Sequence, residues 1–135
     1  MRQITDTDYS WLFKVAALYN VLAAVFYLVF PELGAKLMFK NSAVAIYPAI
    51  IFYNFTWVAV LLFGIGYYIV SLDVNKNHGI VVIGILGKLF FFFYFLYLYF
   101  QSQCTLLAVA GGIGDLLFVI LFAWFLYKKR IEKRP

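Results

Sequence analysis

Charge is the scarcest thing in this sequence. Only 13% of its residues are charged, against 66% hydrophobic and 22% aromatic, and the mean hydropathy is +0.93. Soluble domains are about half apolar and about a quarter charged. A water-soluble globule built from this chain would have to expose large apolar patches, and such patches drive aggregation. The expectation is therefore an integral membrane protein. Cysteine is almost absent. Cys104 stands alone, so an intramolecular disulfide and a cysteine metal cluster are both excluded, and the redox compartment cannot be read. His78 is the single histidine, which excludes a bis-histidine haem within one chain and leaves too few ligands for a metal centre. No cofactor is expected.

Catalytic signatures are missing as well. Ser10, Ser42, Ser71 and Ser102 have no histidine at a spacing that reads as acyl-transfer machinery. The sequence holds no phosphate-binding loop and no metalloprotease helix. Gly64-x-Gly66 runs on into Tyr67-Tyr68 rather than to the third glycine of a dinucleotide fingerprint. No residue is assigned as catalytic, and an enzyme is not the leading class.

The net charge of +5 points towards polyanions only until it is located. Lys128, Lys129, Arg130, Lys133 and Arg134, set against Glu132, supply +4 of it within the basic tail 128–135. A cationic cluster directly after an apolar helix fixes topology and meets anionic headgroups. No basic stripe or stacking platform lies outside the apolar segments, so nucleic acid is not an expected partner. Membrane lipids are, together with a homo-oligomer or a larger membrane complex.

What the sequence has in abundance is long apolar runs. Crossing ~30 Å of hydrocarbon takes ~20 residues, and four segments qualify: about 11–30, 46–72, 79–100 and 106–127. Four crossings consume ~80 or more residues by that measure. Little chain remains among the 135 for a separate soluble catalytic domain. The N-terminal residues, with one arginine and two aspartates ahead of the first run, make a poor signal peptide, so that helix is read as retained. Pro31 closes the first span, and Pro48 suits the first turn of the second. Residues 32–43 space Leu33 from Leu37 and Lys36 from Lys40 by four, which sets an apolar stripe beside a basic one on a short interfacial helix, with a plain loop as the alternative. Asp73–His78 and Gln101–Thr105 read as polar turns, with His78 a solvated turn residue. Short links imply antiparallel neighbours. The expected fold is all-α, a single domain in which four antiparallel transmembrane helices form a bundle. Counting positive charges places Arg2, Lys76 and the basic tail on one side and Lys36 and Lys40 on the other. Both termini are then cytoplasmic.

Polar residues inside such spans are costly, so their positions carry information. Lys88 falls near the middle of the third span and Asp115 near the middle of the fourth. Isolated, each would cost at least ~2.5–3.5 kcal/mol on insertion scales, so a Lys88–Asp115 contact is expected. Asn20 and Asn54 fall at similar depth in the first and second spans, and join the pair as expected hydrogen-bonding partners. Asn20 shares a helix face with Ala16, Ala17, Ala23, Ala24 and Tyr27. Gly84, Gly87, Gly111, Gly112 and Gly114 surround the two charges and are expected to let the helix backbones approach. Lys14, near the start of its span, is expected to snorkel to the interface. There it would join Tyr67, Tyr68, Asp73 and His78 in a cluster on the cytoplasmic face. Nine Phe or Tyr among residues 90–100 either face lipid or line a groove for a flat or long apolar molecule such as a quinone, sterol or isoprenoid.

The stretch Gly64-x-Gly66-Tyr67, Asp73, Gly84-x-x-Gly87-Lys88-x-x-Phe91 and Gly114-Asp115-x-x-Phe118 resembles a pattern found in a group of short four-span bacterial membrane proteins. The resemblance covers residues 64–126. It implies a bacterial inner-membrane protein and supplies no activity. Two structural classes compete for the polar layer. Interhelical hydrogen bonds would specify the bundle at about 0.6 kcal/mol each, whereas a functional layer would bind or pass a small solute, proton or lipid, with protonation of Asp115 away from Lys88 as the simplest switch. The alternatives are an accessory subunit of a larger membrane complex and, further off, a membrane enzyme acting on a lipid or quinone with Asp115 as acid or base.

Overall fold

The computed structural model describes residues 5–132. Arg2, Lys133 and Arg134, counted above for topology, lie outside the described residues. The chain forms α1 (Asp6–Val29), α2 (Pro31–Met38), a 3-10 turn (Ser42–Ala45), α3 (Ala49–Leu72), α4 (His78–Phe100) and α5 (Leu106–Glu132). Among the described residues there is no strand, only an isolated bridge between Phe39 and Cys104. Four helices, α1, α3, α4 and α5, are long and apolar enough to cross a membrane. At 1.5 Å per residue, 23 or more residues cover ~35 Å. Only 22–33% of each apolar stretch is buried inside the chain, so most of its hydrophobic surface faces outward, as a lipid-solvated bundle requires.

Local signals set the helix ends. α1 begins a turn earlier than its apolar run because Thr5 caps it: the Asp8 backbone N–H donates to Thr5 Oγ1, and the Asp8 carboxylate accepts from the Thr5 N–H. This reciprocal box satisfies donors that a helix start leaves orphaned. Phe30 and Pro31 separate α1 from α2. The side of α2 buried in the bundle is Gly34, Ala35 and Met38, while Leu33, on the expected apolar stripe, faces outward. The reason is steric. At Gly34 the Tyr27 ring and the Tyr53 hydroxyl occupy the space where a Cβ would stand, so the glycine face is the one that can close on the bundle.

The long helices associate unevenly. α1 lies against α3, and α4 against α5, while α3 and α4 touch far less. The α1–α3 seam closes at Gly64, where an added Cβ would stand 2.8 Å from Val21 and 3.2 Å from the Ala17 carbonyl oxygen. Opposite it, Ala16, Ala17, Asn20 and Ala24 are buried. Small residues on both helices allow this approach. Aromatic rings join α1 to α5: Phe13 stacks on Phe122 at 5.0 Å, and Tyr9 meets Phe125 edge-on at 5.0 Å. At one end of the molecule Asp6 accepts from Asn75 at 2.9 Å and from Lys129 at 2.5 Å. At another, the Lys40 N–H donates to Gln103 O at 3.0 Å and the Thr105 N–H to Met38 O at 2.9 Å.

Helix α5 runs on through the basic cluster. Lys129 is 5% exposed, bonds Asp6 and Glu132, and lies over the Tyr9 ring. It is thus a structural cation joining the first and last helices rather than part of a solvated tail. A side chain at Gly64 would overpack the tightest seam. Gly64→Leu is expected to cost about 1–3 kcal/mol, whereas Gly79→Ala, with nothing within 4 Å of its Cβ, should unfold at or above the wild-type temperature. Thermal unfolding of both variants in detergent checks this, and equal midpoints would refute it.

Candidate functional site

The expected contact between Lys88 and Asp115 is present and direct. The Lys88 ammonium donates to Asp115 Oδ1 and, at 3.1 Å, to Asn20 Oδ1. Asn20 in turn donates through Nδ2 to the Val60 carbonyl at 3.4 Å. Four helices therefore contribute to one polar cluster: a side chain each from α1, α4 and α5, and a backbone carbonyl from α3. The ammonium also sits over three ring faces, Tyr19 at 5.5 Å, Tyr67 at 5.7 Å and Phe118 at 5.2 Å. Ring quadrupoles stabilise a cation that has lost its water. Lys88 is 6% exposed and Asp115 21%, so the cation is enclosed and the carboxylate partly accessible.

Asn54 does not belong to this cluster. It is exposed on the outside of α3. Tyr53 and Trp57, four apart, take the inward face of that helix, and Asn54, about 100° round from Tyr53, is turned away from the interior. Its place near the ammonium is taken by the Val60 carbonyl acting through Asn20.

The expected backbone approach occurs at Gly112, where an added Cβ would stand 3.4 Å from the Phe92 Cα of α4; the other glycines act differently. Gly84 accommodates the Tyr67 hydroxyl, which lies where its Cβ would be; Gly114 leaves 2.9 Å to the Tyr19 hydroxyl, and Gly112 leaves 3.3 Å to the Phe92 ring. These three glycines seat aromatic side chains, and a Cβ would push those rings away from Lys88 or from the α4–α5 seam. Gly87 has only Phe63 near it, at 3.9 Å, and Gly111 has nothing within 4 Å, so neither sets a close helix approach. Gly111 contributes its carbonyl instead, accepting from Tyr19 Oη at 3.2 Å.

Tyr67 was grouped by sequence with an interfacial cluster of Lys14, Tyr68, Asp73 and His78. The structure takes Tyr67 out of that group. Tyr67 is fully buried against Gly84 and Phe122, while Tyr68 is exposed. Lys14 lies over the Trp11 ring at 4.9 Å. Asp73 pairs with Lys76 at 2.9 Å, and the hydrogen bond from Lys76 holds its carboxyl below the usual range. His78 opens α4, with Nε2 2.8 Å from the Val74 carbonyl and its ring edge-on to Phe125; it is a packed residue rather than a solvated one.

Beside the polar cluster lies a cavity of about 190 Å³. Lys88, Asp115, Asn20, Tyr19 and Tyr67 give it a polar wall, and Tyr27, Trp57, Phe91, Phe95 and Leu107 an apolar one. A second hollow of about 720 Å³ lies between α3 and α4, lined by Phe52, Thr56, Tyr94 and Leu98 and rimmed by Lys40, Asn41, Ser102 and Gln103. The two share Met38, Trp57, Phe91 and Phe95. Among the described residues no group of three or more His, Cys, Asp or Glu side chains is placed to hold a metal ion. No protein-family profile, curated protein or solved structure matches the chain.

Removing one partner of a buried ion pair leaves an uncompensated charge, which costs about 3–5 kcal/mol, whereas replacing both by apolar residues is near neutral or stabilising. Lys88→Met and Asp115→Leu are each expected to lower stability by that amount, and the double variant to recover most of it. A double-mutant cycle by denaturant unfolding in detergent measures the coupling; strictly additive losses would show that the two charges do not depend on each other.

Proposed function

We propose that this protein is a small multi-pass protein of the bacterial inner membrane that binds a small molecule through a polar group, at a mid-membrane site centred on Lys88 and Asp115 and completed by Asn20. The observation that carries the reading is the cavity beside the pair. A charged pair serving only to lock helices together would be packed dry on all sides, whereas this one forms the polar wall of a space with an aromatic wall opposite. Ionisable residues within membrane-crossing segments are costly to keep and mark ligand or ion sites by default.

The arrangement we favour has the four long helices crossing antiparallel, with both termini in the cytoplasm. The contacts of Asp6 with Asn75 and Lys129 support it, since they bring the start of α1, the α3–α4 turn and the end of α5 together. Charge supports the orientation: Lys76, Lys128, Lys129 and Arg130 lie towards that end, and Lys36 and Lys40 in the segment between α1 and α3. A fluorescent protein fused to the C-terminus should be fluorescent in cells and alkaline phosphatase at the same point inactive; active phosphatase would reverse the orientation. For the site itself, a structure in lipid nanodiscs should show non-protein density touching Lys88 or Asp115. A well-resolved chamber with no such density would sink the binding reading.

A further inference from the structure

The ligand's chemistry is constrained by what the polar cluster has already used. Lys88 carries three N–H donors. Two are committed, to Asp115 and Asn20. Asp115 is an acceptor with about four lone-pair sites when ionised, and one bond to Lys88 leaves acceptor capacity on its accessible side. The pair is therefore able to offer one donor and one acceptor while its net charge is zero. An anionic or a cationic head would itself lack a counter-charge in a medium of low dielectric, because Lys88 and Asp115 already cancel each other. Bringing either in costs desolvation that no free counter-charge returns. A neutral head that both donates and accepts, such as a hydroxyl, meets the cluster without that cost.

The space is constrained as well. Pockets for drug-sized ligands measure ~300–1,000 Å³. The chamber at Lys88, about 190 Å³, falls below that range and admits a head and a few carbons. The hollow between α3 and α4, about 720 Å³, falls within it. The four shared wall residues Met38, Trp57, Phe91 and Phe95 make the two adjacent, with only those side chains between them. Phe52 and Tyr94, on its two long sides, are exposed to the outside of the bundle, and α3 and α4 touch little. The larger hollow thus has an apolar side opening where lipid would lie.

We propose that the two chambers form one site for an uncharged, hydroxyl-headed lipid, its head at Lys88–Asp115–Asn20 and its apolar body passing Trp57 into the hollow between α3 and α4. This rests on the binding reading above and adds the ligand class, the second chamber and the lateral route. Aromatic side walls suit an unsaturated or ring-bearing body, since they give large apolar contact at little entropic loss.

Trp57 reports on both chambers. In a Trp11→Phe, Trp124→Phe background it is the remaining tryptophan of the three, and it is 7% exposed. The experiment places this protein in phosphatidylcholine vesicles and titrates three bromine-bearing quenchers: a mid-chain dibrominated octadecanol, the matching dibrominated fatty acid at pH 8, and bromobutanol. Saturable quenching is expected from both alcohols, with the fatty acid at least tenfold weaker than the long alcohol. Thr56→Phe, which narrows the second chamber and does not line the first, should weaken the long alcohol at least tenfold and leave bromobutanol within twofold. Lys88→Met with Asp115→Leu should weaken both alcohols. If Thr56→Phe leaves the long alcohol unchanged, or the fatty acid binds as well as the alcohol, the extended neutral-lipid site is overturned, while bromobutanol's dependence on the pair preserves the mid-membrane site. If no alcohol quenches saturably, or the double substitution changes neither, the mid-membrane site itself is overturned and this proposal with it.

Discussion

An ammonium and a carboxylate placed in the middle of apolar helices have almost no stable option except each other. That constraint organises this bundle. Lys88 reaches Asp115 on α5 and Asn20 on α1, and Asn20 ties the group to the backbone of α3. The bond pattern fixes the rotation of three helices about their own axes, because each must present one particular residue to the same point. In an all-round apolar helix such as α4, where Phe, Leu and Ile occupy nearly every face, hydrophobicity alone specifies no rotation. The polar cluster supplies it.

The surrounding aromatics follow from the same demand. A cation deprived of water is stabilised by ring faces, and Tyr19, Tyr67 and Phe118 provide them. Those rings need room, and Gly84 and Gly114 give it. The glycine-rich stretches of α4 and α5 are thus explained by backbone approach at Gly112 and, at Gly84 and Gly114, by side chains that must fold flat against a helix. The tightest backbone approach is at Gly64 between α1 and α3, where it also brings Asn20 close enough to bond Val60.

Much of this was legible from the residues alone. The four long helices follow from the apolar runs, and the Lys88–Asp115 contact from two charges at matching depth on adjacent segments. Asn20 was readable because alanines mark its side of α1. Asn54 was not, because α3 has no polar or small-residue stripe to orient it, and depth without rotation gives only half of a position. Tyr67 resembled an interfacial aromatic because it sits late in its helix; its true neighbours, Gly84 and Lys88, lie on another helix. Lys129 was hidden inside a cationic run whose members look interchangeable, and its partner Asp6 stands 123 positions earlier. Only the fold distinguishes it from Lys128, which lies over the Trp124 ring.

The bond between Asp6 and Lys129 has a consequence for how the protein is made. The ribosome delivers α1 to the membrane long before it has synthesised the last turn of α5. Throughout that interval Asp6 has Asn75 but not Lys129, Phe13 and Tyr9 lack their ring partners on α5, and α1 must hold its place by its own hydrophobicity and its seam with α3. The bond between Asp6 and Lys129 becomes possible only after the residues of the α1–α5 ring pairs have been made, so the ion pair follows the aromatic seam. An arrest that stopped translation before Phe122 would leave a protein with all four long helices begun and Phe13 and Tyr9 of α1 without their ring partners on α5.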